Sequence, residues 1–106
     1  MLIGAPWAQE FIDEFMAARF PGRKLGRVLV SLVVPGQTIP EHVDVKEGCT
    51  ERVHVPIETD PLCVFVQEGR EHYLSPGHAW LIDPTAPHAV VHRGARDRVH
   101  LMFNVL

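Results

Sequence analysis

The sequence is poor in cysteine, in clustered basic residues and in long apolar runs, and each shortage excludes a class of protein. Its two cysteines, Cys49 and Cys63, lack the C-x-x-C spacing of a zinc site, and we interpret them as free thiols. Ten Lys and Arg stand against 13 Asp and Glu, with no basic block to neutralise nucleic-acid phosphates. No apolar run approaches the roughly 20 residues of a membrane-spanning helix. We therefore expect a cytoplasmic protein that binds neither nucleic acid nor a membrane.

The length of 106 residues predicts a single domain, residues 1–106. Residues 6–20 read as one helix, because Pro6 suits a first helical turn and Phe20-Pro21-Gly22 is a stop signal. Trp7, Phe11, Phe15 and Ala18 recur at helical spacing and predict the buried stripe of this helix. A chain this short buries a modest core, so a homodimer would help to stabilise it.

After Gly26, short β-like runs alternate with Pro/Gly turns at intervals typical of a sandwich or barrel. The predicted strands are residues 27–34, 38–44, 52–57, 62–67, 71–74, 78–82, 88–92 and 98–105. A helix followed by about eight short strands predicts a mainly β protein. Its fold would be a double-stranded β-helix, the cupin or jelly-roll barrel, over about residues 25–105.

Polar side chains share one face of several predicted strands, because side chains alternate across a strand. Arg52 and His54 share a face, as do Arg98 and His100 with Met102 and Asn104. These faces could simply meet water. We favour their placement inside the barrel, since a metal and an anionic ligand would satisfy buried His, Asp and Arg.

Histidine is unusually frequent, with seven residues in all. His42 and Asp44, an i, i+2 pair at the end of a strand, could join His88 in the 2-His-1-carboxylate arrangement of non-haem Fe(II) oxygenases. If residues 93–97 form a hairpin turn, Arg98 lies opposite Val91, roughly 10 Å from His88 along the strand. A five-carbon 2-oxo diacid could then chelate the metal and pair its far carboxylate with Arg98. The alternative for Arg98 is an exposed residue paired with Asp97.

Together these segments resemble the aspartyl/asparaginyl β-hydroxylase family. The residues that carry the resemblance are His42-Val43-Asp44, Arg52-Val53-His54-Val55-Pro56-Ile57, Gly77-His78-Ala79-Trp80-Leu81-Ile82-Asp83, His88 and Asp97-Arg98-Val99-His100-Leu101.

The resemblance implies a double-stranded β-helix with catalytic metal ligands His42, Asp44 and His88, and with Fe(II) and 2-oxoglutarate as cofactor and cosubstrate. It places Arg98 on the distal carboxylate of 2-oxoglutarate, with Arg52 and His54 close to the cosubstrate. The implied reaction is hydroxylation of an amino acid or of an amino-acid side chain, in a small molecule or a peptide. One departure is His92, where the family often has Asn.

Two other functions stay open on the sequence. One is a metal-binding cupin of another reaction class, which would bind metal but not 2-oxoglutarate. The other is a non-catalytic cupin that binds a small molecule without turnover. Residues 45–51, which follow the first two predicted ligands, are a candidate lid.

Overall fold

The computed structural model describes residues 6–44 and 48–106. One helix, α1 (Pro6–Arg19), precedes eight strands. The strands are β1 (Leu25–Val33), β2 (Thr38–His42), β3 (Glu51–Glu58), β4 (Cys63–Gln67), β5 (Arg70–His72), β6 (Trp80–Ile82), β7 (His88–His92) and β8 (Arg98–Val105). All eight predicted strands are present, with ends that shift by one or two residues in most of them.

The strands form two four-stranded antiparallel sheets, ordered β1-β8-β3-β6 and β2-β7-β4-β5. The predicted mainly β, cupin-like double-sheet architecture is confirmed. Local turn chemistry fits this arrangement at the tightest hairpin, between β4 and β5. Its two loop residues, Glu68 and Gly69, have φ angles of 54° and 72°, the conformation that matches the twist of two-residue hairpins.

Helix α1 covers the outer face of the β1-β8-β3-β6 sheet. Ala8, Ile12 and Met16 form one buried cluster with apolar residues of that face, among them Val53 and Phe103. The predicted helix stripe was therefore out of phase: Trp7 is 53% exposed, and Ala18 is exposed as well. A small residue at position 8 lets the helix approach the sheet closely, so the aromatic side chains flank the contact. Phe15, for example, meets Phe103 edge-on with ring centroids 5.8 Å apart.

The predicted hairpin between β7 and β8 is wrong. The two strands belong to different sheets, and Arg98 pairs with Val33 of β1 rather than with Val91. The connecting segment instead crosses between the sheets. Buried Asp60 fixes this crossing, because its Oδ2 accepts hydrogen bonds from the backbone N–H groups of Ala95 and Arg96 at 2.8 and 3.2 Å. Such a crossing still points the first inward side chain of β8 into the space between the sheets.

In the described ranges, no helix has both the length and the apolar character needed to cross a membrane.

Candidate metal and cosubstrate site

The space between the two sheets is lined by polar as well as apolar side chains. His54, His88, Arg98, His100 and Asn104 are all at most 4% exposed. Their strands alternate so that apolar neighbours such as Val53 and Phe103 face helix α1 instead. The prediction that the polar strand faces lie inside the barrel is thus confirmed. Burying these groups is costly unless they find partners.

The three predicted metal ligands meet at one end of this space. His42, the last residue of β2, pairs in register with His88, the first residue of β7. Their imidazole centroids lie 4.4 Å apart. One potential ligand atom from each of His42, Asp44 and His88 lies within 4.8 Å of the others. This spacing suits donors arranged around a single cation.

Asp44 does not lie on a strand, contrary to the prediction of a strand over residues 38–44, because β2 ends at His42. A backbone hydrogen bond from Asp44 N–H to the Pro84 carbonyl, at 2.7 Å, holds the residue after the strand has ended. The carboxylate therefore turns towards the two imidazoles from a loop. Residues 45–47 of the candidate lid lie outside the described residues.

Backbone carbonyls orient both imidazoles in the same way. Nδ1 of His42 lies 2.8 Å from the Pro40 carbonyl oxygen, and Nδ1 of His88 lies 2.8 Å from the Ala86 carbonyl oxygen. A carbonyl only accepts, so we assign the proton to Nδ1 in each ring. Each Nε2 then carries a lone pair that is free to bind a metal, as in metal-binding histidines whose other ring nitrogen is held by a carbonyl.

Both Nε2 atoms point at the same carboxylate oxygen. Asp44 Oδ2 lies 3.2 Å from His88 Nε2 and 3.5 Å from His42 Nε2. Two nitrogen lone pairs and a carboxylate oxygen repel one another unless a cation lies among them. The donor set therefore fits a divalent metal that takes imidazole and carboxylate ligands, including Fe(II).

A guanidinium group adjoins the carboxylate. Arg52 donates one hydrogen bond to Asp44 Oδ2 and another to Asn104 Oδ1, both at 2.8 Å. Burial alone would raise the pKa of Asp44, but the charge of Arg52 and its hydrogen bond to the carboxylate outweigh it, and the net pKa is lowered. The carboxylate is accordingly kept in the charged form that a metal requires.

Arg98 is a buried cation without an anionic partner among the described residues. Its side chain is only 4% exposed, so the alternative of an exposed residue paired with Asp97 is wrong. One terminal nitrogen donates to Ser31 Oγ at 2.8 Å, whereas its Nε has no partner among the described residues. Burial lowers the pKa of Arg98, which shows how poorly its charge is compensated.

Arg98 and the three predicted ligands open onto one cavity of about 80 Å³ that is partly open to solvent. Its wall is completed by Ser31, Ile39, Arg52, His54, Phe65, Val90 and Met102. A metal-ligand set and a guanidinium that lacks an anionic partner among the described residues thus face the same space. A cation at the ligand set and an anion at Arg98 would together satisfy both groups.

Comparison with known proteins identifies the family. Residues 4–106 match the family model described as aspartyl/asparaginyl beta-hydroxylase. The chain belongs to this family. No curated protein is significantly similar to it in sequence.

Solved structures support the fold of this β-hydroxylase family member. A 2OG-Fe(II) oxygenase family oxidoreductase from Burkholderia pseudomallei is similar over 99% of the chain and 58% of its own length, with a TM-score of 0.71 and 14% identity. A predicted oxalate decarboxylase from Thermotoga maritima is similar over 78% of the chain and 68% of its own length, with a TM-score of 0.61 and 18% identity. A cupin domain from Bordetella pertussis Tohama I has a TM-score of 0.58 and 17% identity, over 79% of the chain and 91% of its own. At these identities the likeness establishes the cupin fold alone.

His92, the departure from the family pattern, has a structural position in this β-hydroxylase family member. It is 2% exposed. Its Nε2 donates to the Arg96 carbonyl, and its Nδ1 accepts from the Gly94 N–H. His92 thus binds the segment that crosses between the sheets and is not part of the cavity wall.

The sequence alone assigned no contact or binding role to three polar residues of this region: Ser31, His100 and Asn104. Ser31 holds Arg98, and Asn104 holds Arg52. Ser31 could have been noticed as the one polar residue of the run Leu29-Val30-Ser31-Leu32-Val33. His100 and Asn104 share the polar face of β8, but only the fold shows what they contact.

Two further histidines, His72 and His78, are exposed. Trp80 is partly buried against the apolar cluster between the sheets, and its Nε1 donates to the Ser75 carbonyl at 2.9 Å.

Proposed function

We propose that this β-hydroxylase family member is an Fe(II)- and 2-oxoglutarate-dependent oxygenase that hydroxylates an amino acid or an amino-acid side chain. One observation carries the proposal: a cavity with two imidazoles and a carboxylate at one position and, at another, a buried guanidinium that no carboxylate of the described residues pairs with. A metal alone would leave Arg98 uncompensated, and an organic anion alone would leave the three ligand atoms without a cation. A metal and an organic anion together would satisfy both the three ligand atoms and Arg98.

His42, Asp44 and His88 are the residues that would hold the iron. Three protein ligands leave coordination positions for the cosubstrate and for oxygen. When bound, iron and 2-oxoglutarate together supply the oxidising chemistry that a protein side chain cannot. The chain's own contribution would be to bind the iron and the cosubstrate, to orient them and to exclude water from the cavity.

Arg98 would bind the distal carboxylate through two parallel N–H donors, and Ser31 would keep the guanidinium plane in place by accepting its other hydrogen bond. Arg52 and His54 line the same cavity and would bind the near carboxylate. Phe65 stacks on the His88 ring with centroids 5.4 Å apart and helps to exclude water from the buried ligand.

The substrate would approach on the side of His42. The His42 side chain is 39% exposed, whereas that of His88 is 5% exposed. Either a small-molecule substrate or a peptide substrate would fit this open side. A homodimer and a cytoplasmic location stay predictions.

The test is turnover of 2-oxoglutarate labelled at its first carbon, with Fe(II), in the wild type and in His88→Ala. We expect labelled CO2 and succinate from the wild type, and a visible charge-transfer band under anaerobic Fe(II) and 2-oxoglutarate. His88→Ala should lose both, with iron affinity lowered at least about 100-fold, because one of three ligands is gone. His72→Ala is the matched control, since His72 is an exposed strand histidine, and it should behave as wild type.

A wild type that binds iron but shows neither the band nor succinate would refute the oxygenase and favour a metal-binding cupin of another class. Binding of 2-oxoglutarate with stabilisation but no succinate would instead favour a non-catalytic binding protein.

A further inference from the structure

Two histidines that are not among the proposed metal ligands face each other inside the barrel. His54 of β3 and His100 of β8 have their Nδ1 atoms 3.0 Å apart, with ring planes 87° apart. The residues are 3% and 2% exposed. Two imidazole nitrogens this close form a hydrogen bond only if one carries a proton and the other a lone pair. One ring must therefore donate to the other.

Both rings are neutral at ordinary pH. Burial, together with the Arg98 charge, lowers the pKa of His100 to about 3. Burial, with the charge of Arg98, lowers the pKa of His54 well below its usual value. With one proton per ring, two arrangements exist. Either His100 donates and His54 carries its proton on Nε2, or His54 donates and His100 carries its proton on Nε2.

Neither Nε2 atom has a hydrogen-bond partner in the described part of the chain, and the two rings line different cavities. His54 lines the cavity that contains the proposed metal ligands. His100 lines a second, smaller cavity with Thr59, Cys63 and Arg98. That cavity has room for about one water molecule.

On the His100 side the charged group is a donor, because Arg98 has no acceptor atom and its Nε–H has no partner in the described part of the chain. The Thr59 hydroxyl in the same cavity can donate or accept. The positive charge of Arg98 therefore favours a bare His100 Nε2, whose lone pair one water molecule would bridge to the guanidinium. On the His54 side the proposed ligand is a carboxylate, which only accepts, so this side needs an Nε2–H. The surroundings of His100 and those of His54 favour the same arrangement, in which His100 donates to His54.

We propose that His100 is a positioning residue that fixes the tautomer of His54, so that His54 presents an Nε2–H donor to the near carboxylate of the 2-oxo acid. Through one water molecule, Arg98 would set the direction of the hydrogen bond between His100 and His54. It would thereby couple the two carboxylate-binding ends of the cavity. The ligand, and with it the need for a donor on the His54 side, rests on the proposed function, whereas the Arg98 charge beside His100 favours the same proton placement without it.

Nitrogen-15 NMR of the metal-free protein with labelled histidine tests the proton placement directly. We expect His54 to be protonated on Nε2 and bare on Nδ1, and His100 to show the opposite pattern. The reverse pattern, or a mixture of the two, would overturn the inference. This readout requires neither metal nor turnover.

Two variants test the consequence for binding, measured by calorimetry with 2-oxoglutarate on the Zn(II)-loaded protein. His100→Asn keeps an N–H donor near the position of Nδ1 and should stay within about threefold of the wild-type affinity. His100→Leu removes the donor and should weaken binding about tenfold or more. Equal losses in both variants would refute the positioning role. Urea unfolding of each variant shows whether it is folded, and the NMR measurement on the wild type decides the inference if a variant is not.

The two proposals fail separately. A wild type with the expected protonation but no affinity for 2-oxoglutarate would refute the proposed cosubstrate. It would not refute the assignment of the protons on His54 and His100. A wild type that binds 2-oxoglutarate but has His54 protonated on Nδ1 would refute the role of His100 alone.

Discussion

Replacing Arg98 with methionine should make the ligand-free protein more stable while abolishing cosubstrate binding. Arg98 is a buried cation with no anionic partner among the described residues and with an unpartnered Nε. Burying such an ion costs several kcal/mol even after relaxation. Its compensation is a hydrogen bond to Ser31, for which a charged donor contributes roughly 1.5–3 kcal/mol. Methionine fills the space of the arginine stem without the charge.

The difference between these effects gives a gain of about 1–2 kcal/mol in the free energy of unfolding for Arg98→Met without ligand. With a urea m-value in the usual range, this corresponds to a rise of about 1 M or less in the unfolding midpoint. Saturation with Zn(II) and 2-oxoglutarate should make the wild type more stable than Arg98→Met. At about 100 times its Kd, a ligand stabilises the wild type by about 2.7 kcal/mol beyond the effect of metal alone, and the variant gains none of this.

Arg96→Met is the matched control, because Arg96 is an exposed arginine two residues away. Its unfolding free energy should stay within about 0.5 kcal/mol of wild type in both conditions. The reasoning is refuted if Arg98→Met is destabilised by several kcal/mol without ligand. That result would mean that the guanidinium is a structural element already compensated in the free protein.

Two other predictions follow from the same buried groups. Ser31→Ala removes the acceptor that holds Arg98, and should weaken 2-oxoglutarate binding about fivefold in calorimetry while metal affinity stays unchanged. Stability should also fall as pH decreases from about 6.5 towards 3, because the unfolded chain protonates His100 in this range and the folded chain, with a pKa of about 3 at this ring, does not. The slope is about 1.4 kcal/mol per pH unit for each such histidine. Above pH 6.5 this effect vanishes, since His100 is then neutral in both states.

The pH prediction is checked by urea unfolding at several pH values in the wild type and in His100→Asn, which should show a shallower slope. An identical slope in both proteins would show that His100 titrates normally in the folded state. For Ser31→Ala, an unchanged affinity for 2-oxoglutarate would mean that Arg98 keeps its orientation without the hydroxyl.

The sequence by itself determined the type and order of the elements. Alternation of polar and apolar residues over strands such as β3 and β8 indicates their period directly, and turn residues such as Glu68-Gly69 mark where chains reverse. The residue types of the candidate site were also readable, because imidazoles, a carboxylate and arginines on predicted inner faces have few uses other than binding ions.

Only the tertiary structure decided which sheet each strand joined and what each inner side chain met. Local patterns give the faces of β7 and β8 but not the partner strand, so the predicted hairpin at residues 93–97 was wrong. The phase of helix α1 depended on how closely Ala8 lets it approach the sheet. The contacts of Ser31 with Arg98 and of His54 with His100 join residues 67 and 46 positions apart. Such pairs follow from strand order and register, which a single sequence does not encode locally.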